Sequence, residues 1–253
     1  MMSYSTLCFY GELIDLLSVP NSCGVISYPL TRKASIKDIL ESLGPPHTEI
    51  GHIQVNNRPV SFGHIPRSGQ IIGLYPCIPP VDPCQASLLR PTPLPHIQFL
   101  VDVNVGKLAR LLRMLGINAA FDWSWSDAYI ARLAAREGRI VLSKDHGLLK
   151  RSSIQWGRLI RAQSPQAQLL EVIHFFGLKP PFALFSRCLT CNTILQSVRK
   201  EDIEHRLEPK TKRYYQRFSI CPSCQRIYWP GSHHQRMLAW LRETLSLPAS
   251  FPR

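Results

Sequence analysis

Four of the eight cysteines form two Cys-x-x-Cys pairs, and this spacing constrains the fold of the chain's last third more than any other feature. Cys188 and Cys191 make the first pair, and Cys221 and Cys224 make the second after 29 intervening residues. Each pair supplies two thiolates from one tight turn, so two pairs complete the tetrahedral set of a closed structural zinc site. Redox pairing is the alternative, but neither pair has thioredoxin-like surroundings. We therefore predict a zinc ribbon over residues 182–236 that needs structural Zn²⁺ to fold.

The other cysteines and the start of the chain bear on the cell compartment. Cys8, Cys23, Cys77 and Cys84 show no ligand spacing and are predicted to be free thiols. The N-terminal segment lacks the basic and apolar regions of a signal peptide. No apolar run reaches the roughly 18 residues that a membrane span needs. A metal site in place of disulfides then predicts a cytoplasmic protein with no membrane partner.

A strand runs directly into a helix at residues 99–116. Phe99–Val101 is a short apolar strand, and Asp102 stands where it ends. Leucines then recur at i, i+3, i+4 and i+7, which predicts one buried helical face. Another face of this helix is basic and carries Lys107, Arg110 and Arg113. An acid at a strand's carboxyl end beside a basic helix indicates metal-assisted chemistry on an anionic substrate.

Strand and helix patterns alternate along residues 97–181, which predicts a parallel α/β sheet. Asp102 and Asp145 end strands, and Asp127 opens a helix. A parallel sheet brings such positions to one edge, where carboxylates are the oxygen ligands that Mg²⁺ or Mn²⁺ prefers. Each acid also has a structural interpretation, as a loop acceptor, a turn acceptor or a helix cap. Asp122 is the candidate for a fourth ligand.

The net charge of +13 is unevenly distributed. Residues 1–95 contain 6 Lys/Arg and 6 Asp/Glu, whereas residues 96–253 contain 24 and 11, so the whole excess lies in the second part. This indicates a polyanionic partner, most often nucleic acid, with solubility alone as the alternative. Basic and aromatic residues alternate between the cysteine pairs, as in surfaces that hold phosphates and bases, or around a small solvated core. Besides the basic helix, the predicted RNA ligands are Lys144, Lys212, Arg213 and Arg217.

Residues 1–80 combine short strands with one helix capped by Ser35, which predicts a small β-grasp domain. His47 is predicted to be a hydrogen-bonded loop histidine. Several segments resemble the ubiquitin-like module of the ThiS and MoaD type, namely Ser35–Asp38, Pro46–Glu49, Val55–Val60 and Gly69–Pro76. The module continues into Pro76–Pro80 instead of ending in the Gly-Gly tail of those carriers. The resemblance therefore implies packing or an interaction, with a protein as the expected partner.

Seven prolines lie within residues 76–96. Proline fixes φ and favours extended conformers, so residues 81–96 are predicted to be a semi-rigid linker. The parallel-sheet domain follows at 97–181 and the zinc ribbon at 182–236. A C-terminal helix and tail at 237–253 complete the expected domain order.

Seven stretches beyond the linker resemble the Mut-seven C-terminal ribonuclease family. They are Asp102–Gly116, Asp127 with its helix, Glu137–Arg139, Ser143–Leu149, Gln168–Val172, Cys188–Asn192 and Cys221–His233. The resemblance implies a PIN-like nuclease fold with a zinc ribbon, often preceded by a ubiquitin-like module. It also implies a metal-dependent ribonuclease whose catalytic Mg²⁺ or Mn²⁺ is held by Asp102, Asp127 and Asp145. The pair Ser143-Lys144 replaces the family's more usual Thr-Arg, and an RNA-binding adaptor with a degenerate nuclease site is the alternative function.

Overall fold

The computed structural model describes residues 3–19 and 23–246, whose strands form three separate sheets. The first sheet has the order β2-β1-β5-β3-β4. Its strands are β1 Tyr4–Phe9, β2 Val25–Pro29, β3 Ile50–Val55, β4 Arg58–Pro59 and β5 Ile71–Pro76. Strands β1 and β5 are parallel, and the other neighbours are antiparallel. The sheet is therefore mixed, as in the predicted β-grasp domain.

Helix α1, Ile36–Leu43, covers one face of this sheet with its apolar side. Ser35 and Asp38 form a capping box, in which each side chain accepts a hydrogen bond from the other residue's backbone N–H. These bonds satisfy donors that the first helical turn leaves free. Two 3₁₀ turns accompany the sheet at Gly11–Leu16 and His47–Glu49. The second turn leads directly into β3.

The second sheet is fully parallel, with the order β7-β6-β8-β9. Its strands are β6 Phe99–Val101, β7 Ala119–Ala120, β8 Ile140–Ser143 and β9 Gly157–Leu159. The helices that alternate with them are α2 Gly106–Met114, α3 Asp127–Glu137, α4 His146–Leu149 and α5 Pro165–Phe175. One buried cluster joins the sheet to α2 and α5, and another joins its opposite face to α3 and α4. The prediction of a parallel α/β domain is confirmed.

Local signals at the helix ends determine where the loops of this domain begin. Ser126 caps α3 and Ser164 caps α5, and each hydroxyl accepts a backbone N–H from the first turn. Gly138 ends α3 in the left-handed conformation, at φ 61°. Because all strands of the sheet point the same way, the segments that follow β6, β7, β8 and β9 lie along one edge.

The third sheet is antiparallel, with the order β10-β11-β12. The elements of this part of the chain are β10 Gln196–Val198, α6 Lys200–Ile203, α7 Pro209–Tyr214, β11 Phe218–Ile220, β12 Ile227–Tyr228 and α8 Ser232–Leu245. Helix α8 begins inside the span predicted for the ribbon and returns to the parallel-sheet domain, where Leu241 is fully buried. The predicted tail at 247–253 lies outside the described residues. Among the described residues, no helix is both long enough and apolar enough to cross a membrane.

The first domain is docked onto the edge strand β9 of the parallel sheet. Glu49 is completely buried, and its carboxylate accepts hydrogen bonds from Arg158 Nη1 at 2.6 Å and from the Leu159 backbone N–H at 2.8 Å. The His47 ring lies 2.7 Å from the carbonyl oxygen of Ile154. His47 is thus a hydrogen-bonded histidine, as predicted, and it belongs to the domain interface.

Residues 81–96 contribute to this interface as well. Arg90 is buried between the domains, and its guanidinium donates to four backbone carbonyl groups. These belong to His47, Thr48, Ile50 and Gln155. The segment expected to act as a semi-rigid spacer therefore fastens the two domains together, because its one buried arginine satisfies carbonyl groups on both sides.

Candidate metal centre and nucleic-acid site

Asp102 and Asp145 follow the neighbouring strands β6 and β8, and one serine hydroxyl connects them. Ser143 Oγ donates to Asp102 Oδ2 at 2.6 Å and accepts from the backbone N–H of Asp145 at 2.8 Å. Asn104 Nδ2 donates to the same Asp102 oxygen at 2.6 Å, and Asn104 Oδ1 accepts from the backbone N–H of Lys144 at 3.0 Å. We call Asp102, Asn104, Ser143 and Asp145 the acid rim.

The two acids of the rim differ in how far they are open to a ligand. Asp102 is 5% exposed, and its second oxygen, Oδ1, accepts from the backbone N–H of Val103 at 2.6 Å. Asp145 is exposed, and its Oδ1 caps α4 by accepting from the backbone N–H groups of Gly147 and Leu148. Within the described residues, no hydrogen bond engages Asp145 Oδ2. One carboxylate is therefore held inside the rim, and the other presents an oxygen outward.

Asp127 stands apart from the acid rim. It is the first residue of α3, its side chain is 46% exposed, and it pairs with Arg151 at 3.9 Å. Asp122 forms a local turn, in which hydrogen bonds from the Ser124 hydroxyl and N–H lower the pKa of its carboxyl group. In the described part of the chain, only the four paired cysteines form a group of three or more metal-binding side chains with all ligand atoms within 4.8 Å. Ser143 thus links the Asp102 carboxylate to the backbone of Asp145, whereas Asp127 pairs with Arg151 and Asp122 with Ser124.

The basic residues of α2 are divided between the surface and the interior. Lys107 and Arg110 are exposed. Arg113 is only 3% exposed, and its Nη1 donates to the carbonyl oxygens of Leu189 at 3.2 Å and Thr190 at 2.7 Å. The sequence predicted that Arg113 contacts RNA. The structure instead buries its guanidinium, which joins α2 to the backbone between Cys188 and Cys191.

A cleft of about 340 Å³ adjoins the acid rim, between the first domain and the parallel sheet. Its lining includes Asp15, Leu16, Lys144, His146, Arg161 and Gln163. Lys144 Nζ donates to Gln163 Oε1 at 2.8 Å, and Arg161 Nη1 pairs with Glu12 at 2.6 Å. In parallel sheets, ligands bind at the carboxyl ends of the strands. Arg161 and Gln163 follow β9 as Asp145 follows β8, so the same rule would have pointed to them from the sequence.

The four predicted zinc ligands form one cluster. Their sulfur atoms all lie within 4.8 Å of one another. The short separations cross between the pairs, at 3.3 Å for Cys191–Cys221 and 3.6 Å for Cys188–Cys224. Within each pair, the second backbone N–H lies 3.5 Å from the first sulfur, as expected in a tight turn. This donor set is compatible with tetrahedral zinc. We call these four residues the cysteine cluster.

Hydrogen bonds favour the thiolate form of the first cysteine pair. Burial alone would raise the pKa of Cys191, but contacts with the Thr193 hydroxyl and backbone outweigh it and lower that pKa to about 6. Burial is likewise outweighed at Cys188, where the Tyr228 hydroxyl, 3.1 Å from the sulfur, lowers the pKa. At Cys224 the backbone N–H of Arg226 lowers the pKa, but burial and contacts with the other three sulfur atoms outweigh it and raise that pKa.

The predicted RNA ligands of the ribbon, Lys212, Arg213 and Arg217, are exposed. Lys212 Nζ pairs with Glu204 at 3.1 Å. The Arg213 guanidinium lies over the ring of Tyr214, 5.5 Å from its centroid, and Tyr214 is itself exposed. The ribbon therefore has a basic and aromatic surface that is separate from its cysteine cluster.

Two family models match the chain. The model described as the Mut7-C RNAse domain matches residues 97–241 and contains both the acid rim and the cysteine cluster. The model described as Mut7-C ubiquitin matches residues 2–82, which include the whole first sheet. Neither the curated proteins nor the solved structures gave a match.

Proposed function

Because the chain belongs to the Mut7-C RNAse domain family, we propose that it is a metal-dependent endoribonuclease that hydrolyses RNA phosphodiester bonds. The observation that carries this proposal is the acid rim. The Ser143 hydroxyl bonds the Asp102 carboxylate and the backbone N–H of Asp145, so acids from neighbouring parallel strands lie at the sheet edge where α/β proteins bind ligands. The exposed cations Lys107 and Arg110 of α2 follow Asp102 closely in the chain.

The donors of the acid rim suit a hard divalent cation, because they are carboxylate, hydroxyl and amide oxygens. A carboxylate has about four acceptor positions. Hydrogen bonds occupy three of them at Asp102, so one is left for a metal. We propose that Asp102 and Asp145 hold Mg²⁺ or Mn²⁺ and that Asp127 adds its charge from the start of α3. Such an ion, when bound, lowers the pKa of a coordinated water and polarises phosphoryl oxygens.

The neighbouring side chains orient the acids and receive the substrate's phosphates. Ser143 and Asn104 donate to one oxygen of Asp102 and so fix the direction of its carboxylate. The amides of α4 fix Asp145 in the same manner. In the proposed reaction, Lys107, Arg110 and Lys144 neutralise phosphate charge, which grows in the transition state of hydrolysis.

We propose that the cysteine cluster binds one structural Zn²⁺. Four thiolates complete its coordination, so no position remains for substrate. The ribbon would contribute to RNA binding through Lys212, Arg213 and Arg217 on its outer surface. A thiolate site without disulfides also suits a reducing compartment such as the cytoplasm.

The test of the proposal is to substitute the two acids of the rim. Asp102→Asn and Asp145→Asn should each lower Mg²⁺- or Mn²⁺-dependent cleavage of labelled RNA at least about 100-fold, since even outer-shell partners of a metal cost 10- to 100-fold. Asp82→Asn is the matched control, because that carboxylate lies in the segment between the domains, where it accepts from the backbone N–H of Cys84. RNA affinity without added Mg²⁺ or Mn²⁺ should be the same in all three variants. Full cleavage by both rim variants would overturn the proposal.

An RNA-binding adaptor with a degenerate nuclease site is the second candidate. It is favoured by the hydrogen bonds that engage both oxygens of Asp102 and by the pairing of Asp127 with Arg151. Titration of Mg²⁺ and Mn²⁺ into the wild-type protein with labelled RNA separates the two functions. RNA binding without product at every metal concentration would support the adaptor.

We propose that the ubiquitin-like domain has an internal and an external role. Its buried Glu49 bonds β9 and its buried His47 bonds Ile154 in the loop before β9, so one side of the domain packs against the chain itself. Strand β2 is at the opposite end of the sheet order from β3 and β4. An edge strand of this kind is suited to pairing with a partner's strand, which makes β2 the proposed contact for another protein.

A further inference from the structure

The loop between β7 and α3 exposes an aromatic side chain at the same edge of the sheet as the acid rim. Trp123 is 73% exposed, far more than Trp229 at 37%, whereas Trp156 is buried. Strand β7 runs parallel to β6, so the chain leaves both strands at one edge. Isolated exposed hydrophobic residues are common and need no explanation. Exposure alone is therefore no evidence of a function for Trp123, and its position relative to the acid rim is what matters.

Trp123 is connected to the rim through a second aromatic ring. Phe121 packs directly on Gly106, where an added Cβ would lie 2.7 Å from the ring, and Gly106 begins α2 just after Asp102. The Trp123 ring meets the Phe121 ring at 4.9 Å between centroids and at an interplanar angle of 78°. In such an edge-to-face pair, at least one face of the indole stays uncovered.

The loop that carries Trp123 is held in place from both sides. Asp122 accepts hydrogen bonds from the backbone N–H of Ser124 at 2.9 Å and from its hydroxyl at 2.6 Å. Ser126 caps α3, and Trp125 packs against Tyr129 at 5.4 Å between centroids. The indole is thus presented to solvent by a loop with many internal contacts, so a bound ring would meet a surface that is already formed.

Exposed residues of the rim and of α2 add features that suit an unpaired base. Val103, next to Asp102 in the rim, is also exposed and adds apolar surface, and Lys107 and Arg110 add exposed positive charge on α2. Sites for single-stranded nucleic acid combine aromatic rings for the bases with cations for the backbone. Bases within a duplex are already stacked and paired, so they cannot lie on such a ring.

We propose that Trp123 stacks on an unpaired base of the RNA whose phosphate lies at the acid rim, and that the protein therefore selects single-stranded RNA at this position. The inference rests on the proposed ribonuclease function and adds a base-binding subsite to it. Stacking on an aromatic ring accepts every base, so the subsite distinguishes single-stranded from paired RNA without reading the sequence.

The experiment measures the affinity of the full-length protein for a short labelled oligouridylate without added Mg²⁺ or Mn²⁺. Base stacking is worth about 1–3 kcal/mol per base, so Trp123→Ala should weaken binding by about 5- to 150-fold. Trp123→Phe should retain most of the affinity, because it keeps an aromatic face. Tyr10→Ala is the matched control, since it removes an exposed aromatic ring from the ubiquitin-like domain.

A fully abasic oligomer of the same length gives the second measurement. Wild-type protein and Trp123→Ala should bind the fully abasic oligomer equally, because the ring has no base to contact. Equal binding of oligouridylate by wild type and Trp123→Ala would overturn the stacking subsite and leave the ribonuclease proposal intact. Failure of the wild type to bind any RNA would overturn both, and loss of metal-dependent cleavage with stacking retained would overturn only the ribonuclease proposal.

Discussion

The cysteine cluster and the acid rim hold their ligand atoms in different ways. In the cluster, two sulfur atoms come from each tight turn, and the turns face each other across 3.3 Å and 3.6 Å. At the rim, the carboxylates come from separate strand–helix units. Asp102 accepts from backbone and side-chain groups, and Asp145 accepts from two backbone N–H groups of α4. Ligands within one turn are brought together by local geometry. Ligands from separate units meet only where the surrounding helices place them.

This difference predicts two relations between metal and stability. If the cysteine cluster holds zinc as proposed, the ion supplies much of the free energy that folds the ribbon. Asp102 already accepts three hydrogen bonds, so the buried acid of the rim is satisfied without an ion. We expect tight zinc binding at the cluster and weak, exchangeable Mg²⁺ or Mn²⁺ binding at the rim.

Substitution of Cys188 is expected to have the largest effect. Cys188 is completely buried, and Cys188→Ser removes one of four thiolates from a site whose zinc binding supplies roughly 10 kcal/mol or more in comparable peptides. The purified variant should lose its zinc, and its ribbon should become sensitive to trypsin between residues 190 and 230. Zinc content and peptide mapping measure both.

Cys84→Ser is the control for this experiment, because Cys84 is a free thiol outside the cluster. It should retain one zinc per chain and the protease resistance of the wild type. A zinc-loaded, protease-resistant Cys188→Ser protein would show that the two regions depend on metal to a similar degree.

Arg113 and Arg110 give the next largest contrast, because they lie on one helix but serve different regions. Arg113→Ala leaves the carbonyl groups of Leu189 and Thr190 without their donor and should lower the free energy of unfolding by about 3 kcal/mol. Arg110→Ala should change it by less than about 0.5 kcal/mol. Urea unfolding measures both values.

RNA binding should show the reverse order for these two arginines. Arg110→Ala should weaken RNA binding and reduce its salt dependence by about one phosphate contact. If Arg113→Ala leaves the free energy of unfolding unchanged and weakens RNA binding, Arg113 is a phosphate ligand of the RNA, which would contradict its structural role.

The parts of the fold that the sequence predicted well depend on neighbouring residues. Ser126 and Gly138 delimit α3 through interactions with the adjacent helical turns, and the cysteine pairs assemble through their own spacing. Periodicity could not place Arg113, because its acceptors belong to the distant first cysteine pair. The same applies to Glu49, whose partner Arg158 is in another domain. Charged residues buried by such long-range contacts are indistinguishable, in sequence, from exposed ones.

Asp127→Asn is expected to have the smallest effect, and it tests how far the acid rim extends. The carboxylate is about half exposed and 3.9 Å from Arg151, so its loss should cost at most about 1 kcal/mol of stability. If Asp127 acts on the metal only through its charge, cleavage should fall about tenfold, well short of the loss expected for Asp145→Asn. The measurement is the rate of cleavage as a function of Mn²⁺ concentration. A loss equal to that of Asp145→Asn would mean that three acids bind the ion directly. In that case the metal would help to bring the acids of the rim together, as zinc is proposed to do in the cysteine cluster. The two sites would then differ only in how tightly they bind their ions.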